Sequence, residues 1–481
     1  MVRGRHVHFM GIGGIGVSGL ARLARAAGAT VSGCDRKAGP VAAELAREGI
    51  AVQYGHSPDH LAGVDILVHT SAVRETEPEL LAAEALGVHV EGRLPMLLRL
   101  AEGHRLLGVA GSHGKTTTTA LAAALLLEAG FDPWCAVGGV VDVLGSNVRA
   151  GRAESRDTSE GRAPGWFVAE LDESDGHIAA ASCELAILTN VDREHFDHYA
   201  DFESICRAFG AFLANTRPDG AIVACADSPS ALALARASGR RVLAYGLGRG
   251  SEFRAEDIEL SAGSSRFTAR TPSGAIAYCE LGLAGLHNVQ NAMAIVALAS
   301  ELGVGEDVLR RTLARGVRVG RRMEARELPR GVRAIVDYAH HPAKVAATVA
   351  AVRLSPHRRL IAVFQPHRYT RTLHLGAEFG PAFAGRLPVH LDGPCADRPT
   401  RGVDDLIVLP IYAASEDPIP GVTGEVVASS AREAGIATAR YVESREEAIR
   451  DLAETLRPGD TLLVLGAGDV DSLTDELRER L

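Results

Sequence analysis

Lysine is nearly absent from this chain: of 51 basic residues among 481, only Lys37, Lys115 and Lys344 are lysines. Where arginine serves almost everywhere, a lysine inside a glycine-rich loop marks a site that needs a compact ammonium instead of a planar fork. Lys115 is such a residue. Aromatics are scarce too, at 5%, whereas hydrophobic residues reach 46% and glycines number 52. That profile is one of an alanine-rich α/β enzyme and excludes a disordered or fibrous chain. The seven cysteines, Cys34, Cys135, Cys183, Cys206, Cys225, Cys279 and Cys395, contain no Cys-x-x-Cys pair. Their scatter argues against a zinc cage or a disulfide framework, and most read as small buried hydrophobes. No apolar run approaches the roughly 18 residues of a membrane span, and the opening "MVRGRHVHFMGIGGIG" lacks the form of a secretion signal, so a cytoplasmic protein is expected. A net charge of -9 offers no general attraction to phosphate backbones or anionic lipid. Neither nucleic acid nor membrane is expected as a partner.

What is present is alternation. From His6 to about Arg105, "HVHFMGIGGIG" reads as strand and tight turn, "VSGLARLARAAG" as helix, "ATVSGCD" as strand and "VDILVHTSAV" as a later strand. Such alternation predicts a parallel sheet covered by helices. A second module opens on the strand "RLLGVAG", enters a helix at Lys115 and continues through "GWFVAELDESD" and "CELAILTNVDREH". A third follows the arginine-rich "RGVRVGRRMEAR", with strands in "RAIVDYAHHP", "RLIAVFQPHR", "DLIVLPIYAAS" and "DTLLVLGAGD". The expected division is 1–105, 106–318 and 319–481, in keeping with about 100 to 200 residues per domain. Between strands of the second module, "AGRAESRDTSEGRAPG" (150–165) reads as a mobile surface loop. There is no internal repeat and no heptad pattern.

Two loops carry chemistry. Gly11, Gly13, Gly14 and Gly16 lie in a Gly-x-Gly-x-x-Gly turn between strand and helix, and Asp35 ends the next strand. Such glycines let the backbone approach a pyrophosphate at a helix N-terminus. Read alone the motif predicts NAD, yet a UDP-sugar also offers a diphosphate beside a ribose, and a purely structural turn stays open. The second loop, Gly111, Ser112, His113, Gly114, Lys115 and Thr116 with Thr117 behind it, resembles a phosphate loop whose first glycine is replaced by Val109. Its amides would cradle the β and γ phosphates of ATP, Lys115 would neutralise them, and the Thr116 hydroxyl would ligate Mg2+. A capped helix after a turn is the plainer alternative. Beyond the following strands stand Asp172, Glu173, Ser174 and Asp175, then Asp192, Glu194, His195, Asp197 and His198. Mg2+ takes oxygen ligands, and Glu173 is the first candidate; His195 is expected to contribute to that site, with His198 structural.

With both loops, the acidic strand ends and the third module in this order, the whole chain resembles the Mur ligase family, and its alanine-adding branch in particular. That family has a shortened phosphate loop, G-T-x-G-K-T, which "GSHGKT" matches except at Ser112. "HFMGIGGIGVSGLA" is similar to the branch's uridine-nucleotide loop and "HTSAV" to the loop that follows, which brings in Ser71. "ELDESDGH" resembles the E-x-D-E-S-D segment, and "LTNVDREHFDHY" the segment holding the metal histidine; the resemblance thus implies Thr116, Glu173 and His195 at Mg2+. "LHNVQNAMAI" implies Asn288 and Asn291 on the adenine side, and "GRRMEAR" places Arg322 near ATP phosphates. "VDYAHHP" implies Asp337 near the ribose, with Tyr338 and His340 toward the amino acid. "FQPHRYTRT", the most branch-specific stretch, implies that Arg368 and Arg371 hold the amino acid's carboxylate.

The resemblance further implies a Rossmann-like N-terminal domain, a central P-loop ATPase-like domain and a C-terminal Rossmann-like α/β domain. The implied activity is ATP-dependent ligation of L-alanine to the carboxylate of UDP-N-acetylmuramate, in peptidoglycan precursor synthesis, by a monomer or weak homodimer. Catalysis would rest on Lys115, Glu173 and His195. The departures are Ser112, Leu171 in place of a small residue, Glu194 in place of aspartate, and "HLDGPCADRPTRGVDD", which matches no family segment. No lysine falls between Lys115 and Lys344, which speaks against branches that carry a carbamylated lysine after the metal histidine. A murein-tripeptide recycling ligase, a folylpolyglutamate synthetase, a nicotinamide-dependent oxidoreductase and a nucleotide-binding regulator remain as alternatives.

Overall fold

Short apolar runs become central strands that are buried on both faces. The computed structural model describes residues 2–37, 39–70, 73–74, 76–151, 164–174, 176–194, 198–386, 401–414 and 416–481. The first sheet contains β1 (His6–Met10), β2 (Thr30–Asp35), β3 (Ala51–Tyr54), β4 (Ile66–His69) and β5 (His89–Gly92), in the order β3-β2-β1-β4-β5 with every pairing parallel. Strand order reverses between β1 and β4. The turn after β1 therefore opens onto the crevice where ligands of such sheets gather.

The second sheet has ten strands: β6 (Arg105–Ala110), β7 (Trp134–Val141), β8 (Ser146–Arg149), β9 (Trp166–Glu170), β10 (Leu185–Leu188), β11 (Ala221–Cys225), β12 (Arg241–Gly246), β13 (Phe253–Leu260), β14 (Ser265–Thr271) and β15 (Gly274–Leu281). Its centre, β12-β11-β10-β6-β9-β7, is parallel. An antiparallel meander, β13 to β15, extends one edge, and β8 closes the other. The third sheet runs β16 (Glu324–Leu328), β17 (Val332–Asp337), β21 (Thr461–Leu465), β18 (Leu360–Phe364), β19 (Asp405–Val408) and β20 (Arg440–Tyr441), parallel apart from β16.

The α/β class, with mainly parallel sheets covered by helices, agrees with the sequence reading. β10, β18 and β21 are buried at every position, which is why they read as continuous apolar runs and not as alternating ones. The helix Lys115–Glu128 buries ten of its residues, so its run of threonines, alanines and leucines is apolar nearly all round. One apolar cluster runs from Phe9 and Leu20 through Trp134 and Phe167 to Phe209 and Phe212, joining the first sheet to one face of the second. Another fills the opposite face of the second sheet, from Leu121 to Met293.

Some expectations change. The strand in "VDILVHTSAV" covers only Ile66–His69. The meander β13 to β15 had no counterpart in the sequence reading. Residues 152–163 of the polar stretch, Ser71, Asp175, His195, Asp197 and Cys395 lie outside the described residues. Among the described residues no helix is long and apolar enough to cross a membrane.

Candidate active site

Carboxyl ends of β6, β9 and β10 put the glycine-rich loop and both acidic segments on one edge of the second sheet. Gly111 has φ +128°, and a Cβ there would collide with the Thr189 hydroxyl; Gly114 has φ +81° and would set a Cβ 2.6 Å from Asn291 Oδ1. Both positions need glycine, for backbone conformation and for space. The segment after β10 shapes the loop from outside. Asn190 Oδ1 accepts from His113 N at 2.8 Å, Thr189 Oγ1 donates to His113 O at 2.6 Å, and Ser112 Oγ accepts from Asp192 N at 2.8 Å.

Lys115 opens the helix Lys115–Glu128 and donates to both Glu173 oxygens, at 3.0 and 2.8 Å. Burial alone would push its pKa down; the negative charges of Glu173, Asp172 and Glu194 override this and raise it. Thr116 Oγ1 donates to Glu170 Oε1 at 3.1 Å, and Gly138 N donates to Glu170 Oε2 at 2.7 Å. Thr116, Glu170 and Glu173 thus offer hydroxyl and carboxylate oxygens beside the loop, a donor set that fits Mg2+. Thr117 faces partly outward on the same first turn. Asn288 and Asn291 lie on the helix Leu286–Leu302, both nearly buried, and Asn291 Nδ2 donates to Asn288 Oδ1 at 3.4 Å.

At the first sheet, Gly11 has φ +74° and its N–H donates to Cys34 O at 2.8 Å. Gly13 N donates to Asp35 Oδ2 at 2.9 Å and Lys37 N to Asp35 Oδ1 at 3.2 Å, so Asp35 braces the loop by its backbone. Gly14 caps the helix Ile15–Ala26. A Cβ at Gly16 would meet Arg93 Nη1 at 2.8 Å, and Arg93 Nη2 donates to Asp172 Oδ2 at 2.7 Å. The first loop and the acidic segment are therefore neighbours through one arginine.

The third sheet meets this edge with a second set of side chains. Glu194, 3% exposed, receives Lys344 Nζ at 3.1 Å. Burial would raise the Glu194 pKa, but Lys344, His113 and His341 hold it well below the usual carboxylate range. Burial lowers that of Lys344, with Glu194 opposing. His341 caps the helix Pro342–Val352, its Nδ1 accepting from Ala343 N, which leaves Nε2–H to donate to Arg193 O at 3.3 Å. Its ring lies 4.6 Å from that of His113. His113 Nε2 in turn lies 2.9 Å from Asp192 Oδ2.

The remaining residues fall around these. Asp337 Oδ2 accepts from Met323 N at 2.8 Å and Oδ1 from Ala339 N at 2.9 Å; burial raises its pKa. Arg322 lies over the Tyr338 ring at 4.9 Å. His340 Nδ1 donates to Tyr338 O at 2.7 Å, and burial followed by Lys344 and Arg371 keeps its pKa well below normal. Arg368 precedes the helix Tyr369–Phe383 at φ +72°, an uncommon conformation for arginine, and lies 3.7 Å from Glu416 Oε1. Arg371, 5% exposed, donates to His367 O at 3.2 Å.

Comparison with known proteins settles the kinship. Residues 6–105 match the model described as Mur ligase family, catalytic domain; residues 109–299 match the Mur ligase middle domain; residues 321–468 match the Mur ligase glutamate ligase domain. The chain is 39% identical to the UDP-N-acetylmuramate--L-alanine ligase of Anaeromyxobacter sp. (strain Fw109-5), over 98% of this chain and 96% of that protein. It is also 39% identical to the ligase of that name from Sorangium cellulosum, over 100% of this chain and 98% of the relative. The crystal structure of UDP-N-acetylmuramate-alanine ligase MurC from Thermotoga maritima superposes with a TM-score of 0.78 at 26% identity, covering 99% of this chain and 98% of that one. This chain belongs to the Mur ligase family.

As a Mur ligase it shows where its departures sit. Ser112 is buried, and its hydroxyl accepts from Asp192 N, a bond a threonine hydroxyl also makes. Leu171 is fully buried, its side chain against the space a Cβ on Gly108 would fill. Glu194 accepts from Lys344 Nζ in a buried ion pair at 3.1 Å. Three residues were not singled out for the site from sequence: Glu170, His341 and Lys344. For Lys344 the signal was available, since it shares with Lys115 the distinction of being a lysine in an arginine chain.

Lys344→Met leaves the buried Glu194 carboxylate without its cation and is expected to cost about 3–5 kcal/mol in chemical denaturation, with Glu194→Gln in the same chain recovering most of it. A double variant no more stable than Lys344→Met would contradict a pairing role. Burial, aided by neighbouring cations, depresses the pKa of His287 to about 4 and those of His341 and His367 to about 3. The unfolded chain, with histidines near 6.5, then binds more protons than the folded one below that pH. The thermal midpoint is expected to fall as pH drops from about 6.5 toward 4, and less steeply in His367→Asn.

Proposed function

We propose that this chain ligates L-alanine to the carboxylate of UDP-N-acetylmuramate with ATP, giving UDP-N-acetylmuramoyl-L-alanine, ADP and phosphate; its relatives are named UDP-N-acetylmuramate--L-alanine ligase. One observation carries the reading: Lys115 of the phosphate loop, with Glu173 from the acidic segment after β9, faces the Glu194–Lys344 pair, whose lysine also feels Arg322 and Arg371. A phosphate site and a carboxylate site are thereby joined. In this reading residues 1–105 hold the uridine nucleotide, 106–318 hold ATP and 319–481 hold the amino acid. A cytoplasmic monomer or weak homodimer is part of the same reading.

A carboxylate is a poor electrophile because its oxygen is a poor leaving group. Transfer of the γ-phosphoryl group to the muramoyl carboxylate makes an acyl phosphate, and this step needs positioning and charge neutralisation more than covalent help from the protein. The loop amides from Gly111 to Gly114 cradle the β and γ phosphates, and Lys115 exchanges Glu173 for phosphate oxygen. Thr116, Glu170, Glu173 and His195 are the groups that would hold Mg2+, which when bound neutralises phosphate oxygens. Asn288 and Asn291 serve the adenine side, Asp337 the ribose and Arg322 the phosphates. The first loop, with Gly11, Gly13, Gly14 and Gly16 braced by Asp35, and with Ser71 beyond β4, receives the UDP diphosphate.

Arg368 and Arg371 at the N-terminal turn of their helix bind the alanine carboxylate, where guanidinium geometry and the helix dipole agree. His340, neutral with its proton on Nδ1, keeps a lone pair on Nε2 to take the proton of the alanine ammonium. The free amine attacks the acyl carbon, the tetrahedral species collapses with cleavage of the bond from the acyl carbon to the phosphate oxygen, and the second nitrogen proton leaves with the departing phosphate.

Phosphate release from ATP is expected only when UDP-N-acetylmuramate and L-alanine are both present, with a product one alanyl residue heavier by mass spectrometry. Arg371→Lys should raise the KM for alanine by about tenfold or more, since a bidentate charged contact becomes a single one. Turnover with the sugar nucleotide but an amino acid other than alanine would move the assignment within the family. No turnover with any amino acid would favour a nucleotide-binding regulator.

A further inference from the structure

Behind the first glycine-rich loop lies a cluster that the ligation reaction does not use. His8 on β1, Cys34 on β2, His60 in the single turn Pro58–Leu61 and Glu79 on the helix Pro78–Leu86 turn their ligating atoms inward, all within 4.8 Å of one another. His8, Cys34 and Glu79 are fully buried. Glu79 Oε1 lies 3.1 Å from His8 Nε2 and 3.1 Å from His60 Nδ1; Glu79 Oε2 lies 3.3 Å from Cys34 Sγ. Met10, Leu61, Leu67, Leu80 and Ala83 form an apolar shell around the cluster.

Two features separate this set from an ordinary buried ion pair. His8 Nε2 makes no well-directed hydrogen bond although Glu79 Oε1 is 3.1 Å away, so distance without alignment relates the two groups. The other nitrogen, Nδ1, is 2.8 Å from Ser32 Oγ, which also lies 2.8 Å from His6 Nε2. A ring oriented from behind by a fixed polar partner, with its second nitrogen aimed into a closed set of donors, is the arrangement of a metal-ligating histidine.

We propose that His8, Cys34, His60 and Glu79 form a structural site for a tetrahedral divalent ion, zinc by preference. A thiolate, two imidazoles and one carboxylate suit zinc and do not suit the oxygen-seeking Mg2+ or Ca2+. A thiolate and a carboxylate balance the two charges of the ion, so the loaded site is neutral in its apolar shell. On binding, the Cys34 Sγ–H bond is broken, sulfur keeps the electron pair as its bond to the metal, and the proton passes to solvent. Bonds of about 2.0–2.3 Å require ligand separations of about 3.3–3.8 Å, so the contacts of Glu79 at 3.1–3.3 Å would open slightly while the widest separations, up to 4.8 Å, would close. Four protein ligands leave no open position, which makes the ion structural and not catalytic.

The site bears on the loop in front of it. Cys34 O accepts from Gly11 N at 2.8 Å and from Ile12 N at 3.1 Å, and the next residue, Asp35, receives Gly13 N. An ion on Cys34 would fix the floor of the proposed diphosphate turn. His56, whose Nδ1 is 3.1 Å from Cys34 Sγ and 3.4 Å from Glu79 Oε2, borders the set.

The full chain, stripped with a chelator and kept reduced, is titrated with Co2+ in the absence of nucleotide. The expected result is a sulfur-to-cobalt charge-transfer band in the near ultraviolet, saturating at one equivalent, together with the intense visible bands of tetrahedral cobalt, all displaced by Zn2+. Cys34→Ser should lose the charge-transfer band and Glu79→Gln should weaken cobalt binding at least tenfold, while His113→Asn, in the sulfur-free cluster of the active site, should leave the band intact. Zn2+ should raise the thermal midpoint of the parent chain and not that of Cys34→Ser. If the unaltered chain develops no sulfur-to-cobalt band and gains no thermal stability with Zn2+, the cluster is a proton-sharing network and the proposal is wrong. That outcome needs no variant to fold, and it is independent of ligase activity.

Discussion

The ion pair of Lys115 with Glu173 is the interaction on which the site depends. A buried ammonium ordinarily sheds its proton, yet here three carboxylates of adjoining segments hold it charged. A charged lysine at the first turn of a helix, below amides fixed by Gly111 and Gly114, is a receptor for polyanionic phosphate. In the proposed reading Glu173 holds the place of that phosphate, its two oxygens occupying the ammonium at 3.0 and 2.8 Å. Everything that positions Glu173 therefore positions the phosphate: the strand β9 that ends at Glu170, the Tyr199 hydroxyl that donates to Glu173 O at 2.8 Å, and Arg93 that holds Asp172.

A second buried pair, Glu194 with Lys344, performs the corresponding task between the second and third sheets. It joins the segment after β10 to the helix Pro342–Val352, and the His113–His341 ring contact lies beside it. Such pairs contribute little net stability because desolvation offsets attraction, but separating them is costly. Their worth here is registry: one arrangement of the two sheets satisfies both charges.

The two glycine-rich loops were legible from sequence because their constraint is local. Gly111 and Gly114 adopt backbone conformations that other residues resist, so the requirement is written at the positions that bear it. The acidic segments were legible for a related reason, each following a strand whose apolar run marks it. Lys344, His341 and Glu170 were not, because nothing near them in the chain announces their partners. Glu170 ends a strand and reads as its polar terminus, while its partners Thr116 and Gly138 lie on two other elements. The cluster of His8, Cys34, His60 and Glu79 shows the same limit more sharply. Cysteine spacing argued against a zinc cage, yet spacing reports only ligands that share a loop, whereas a parallel sheet brings together side chains from strands and helices far apart in sequence. The meander β13 to β15 escaped for another reason: its alternating polar and apolar residues sit at a sheet edge and lack the solid apolar runs of the central strands.

The local electrostatics of the cleft oppose those of the whole chain. Net charge is -9, but Lys115, Arg322 and Arg371 all act on Lys344 across the cleft, adding to the burial that depresses its pKa. Burial and these cations keep His340, His341 and His367 neutral. The combination has a chemical consequence. Fixed cations attract nucleotide and amino-acid carboxylate alike, and the same field withholds protons from the imidazoles that stand among them. A neutral imidazole is what an incoming ammonium requires, because alanine can attack an acyl phosphate only after surrendering a proton. In the proposed reaction, replacing the cations by neutral groups would weaken phosphate binding and relieve the smaller of the two causes that keep His340 neutral, burial being the larger; both requirements draw on one charge distribution.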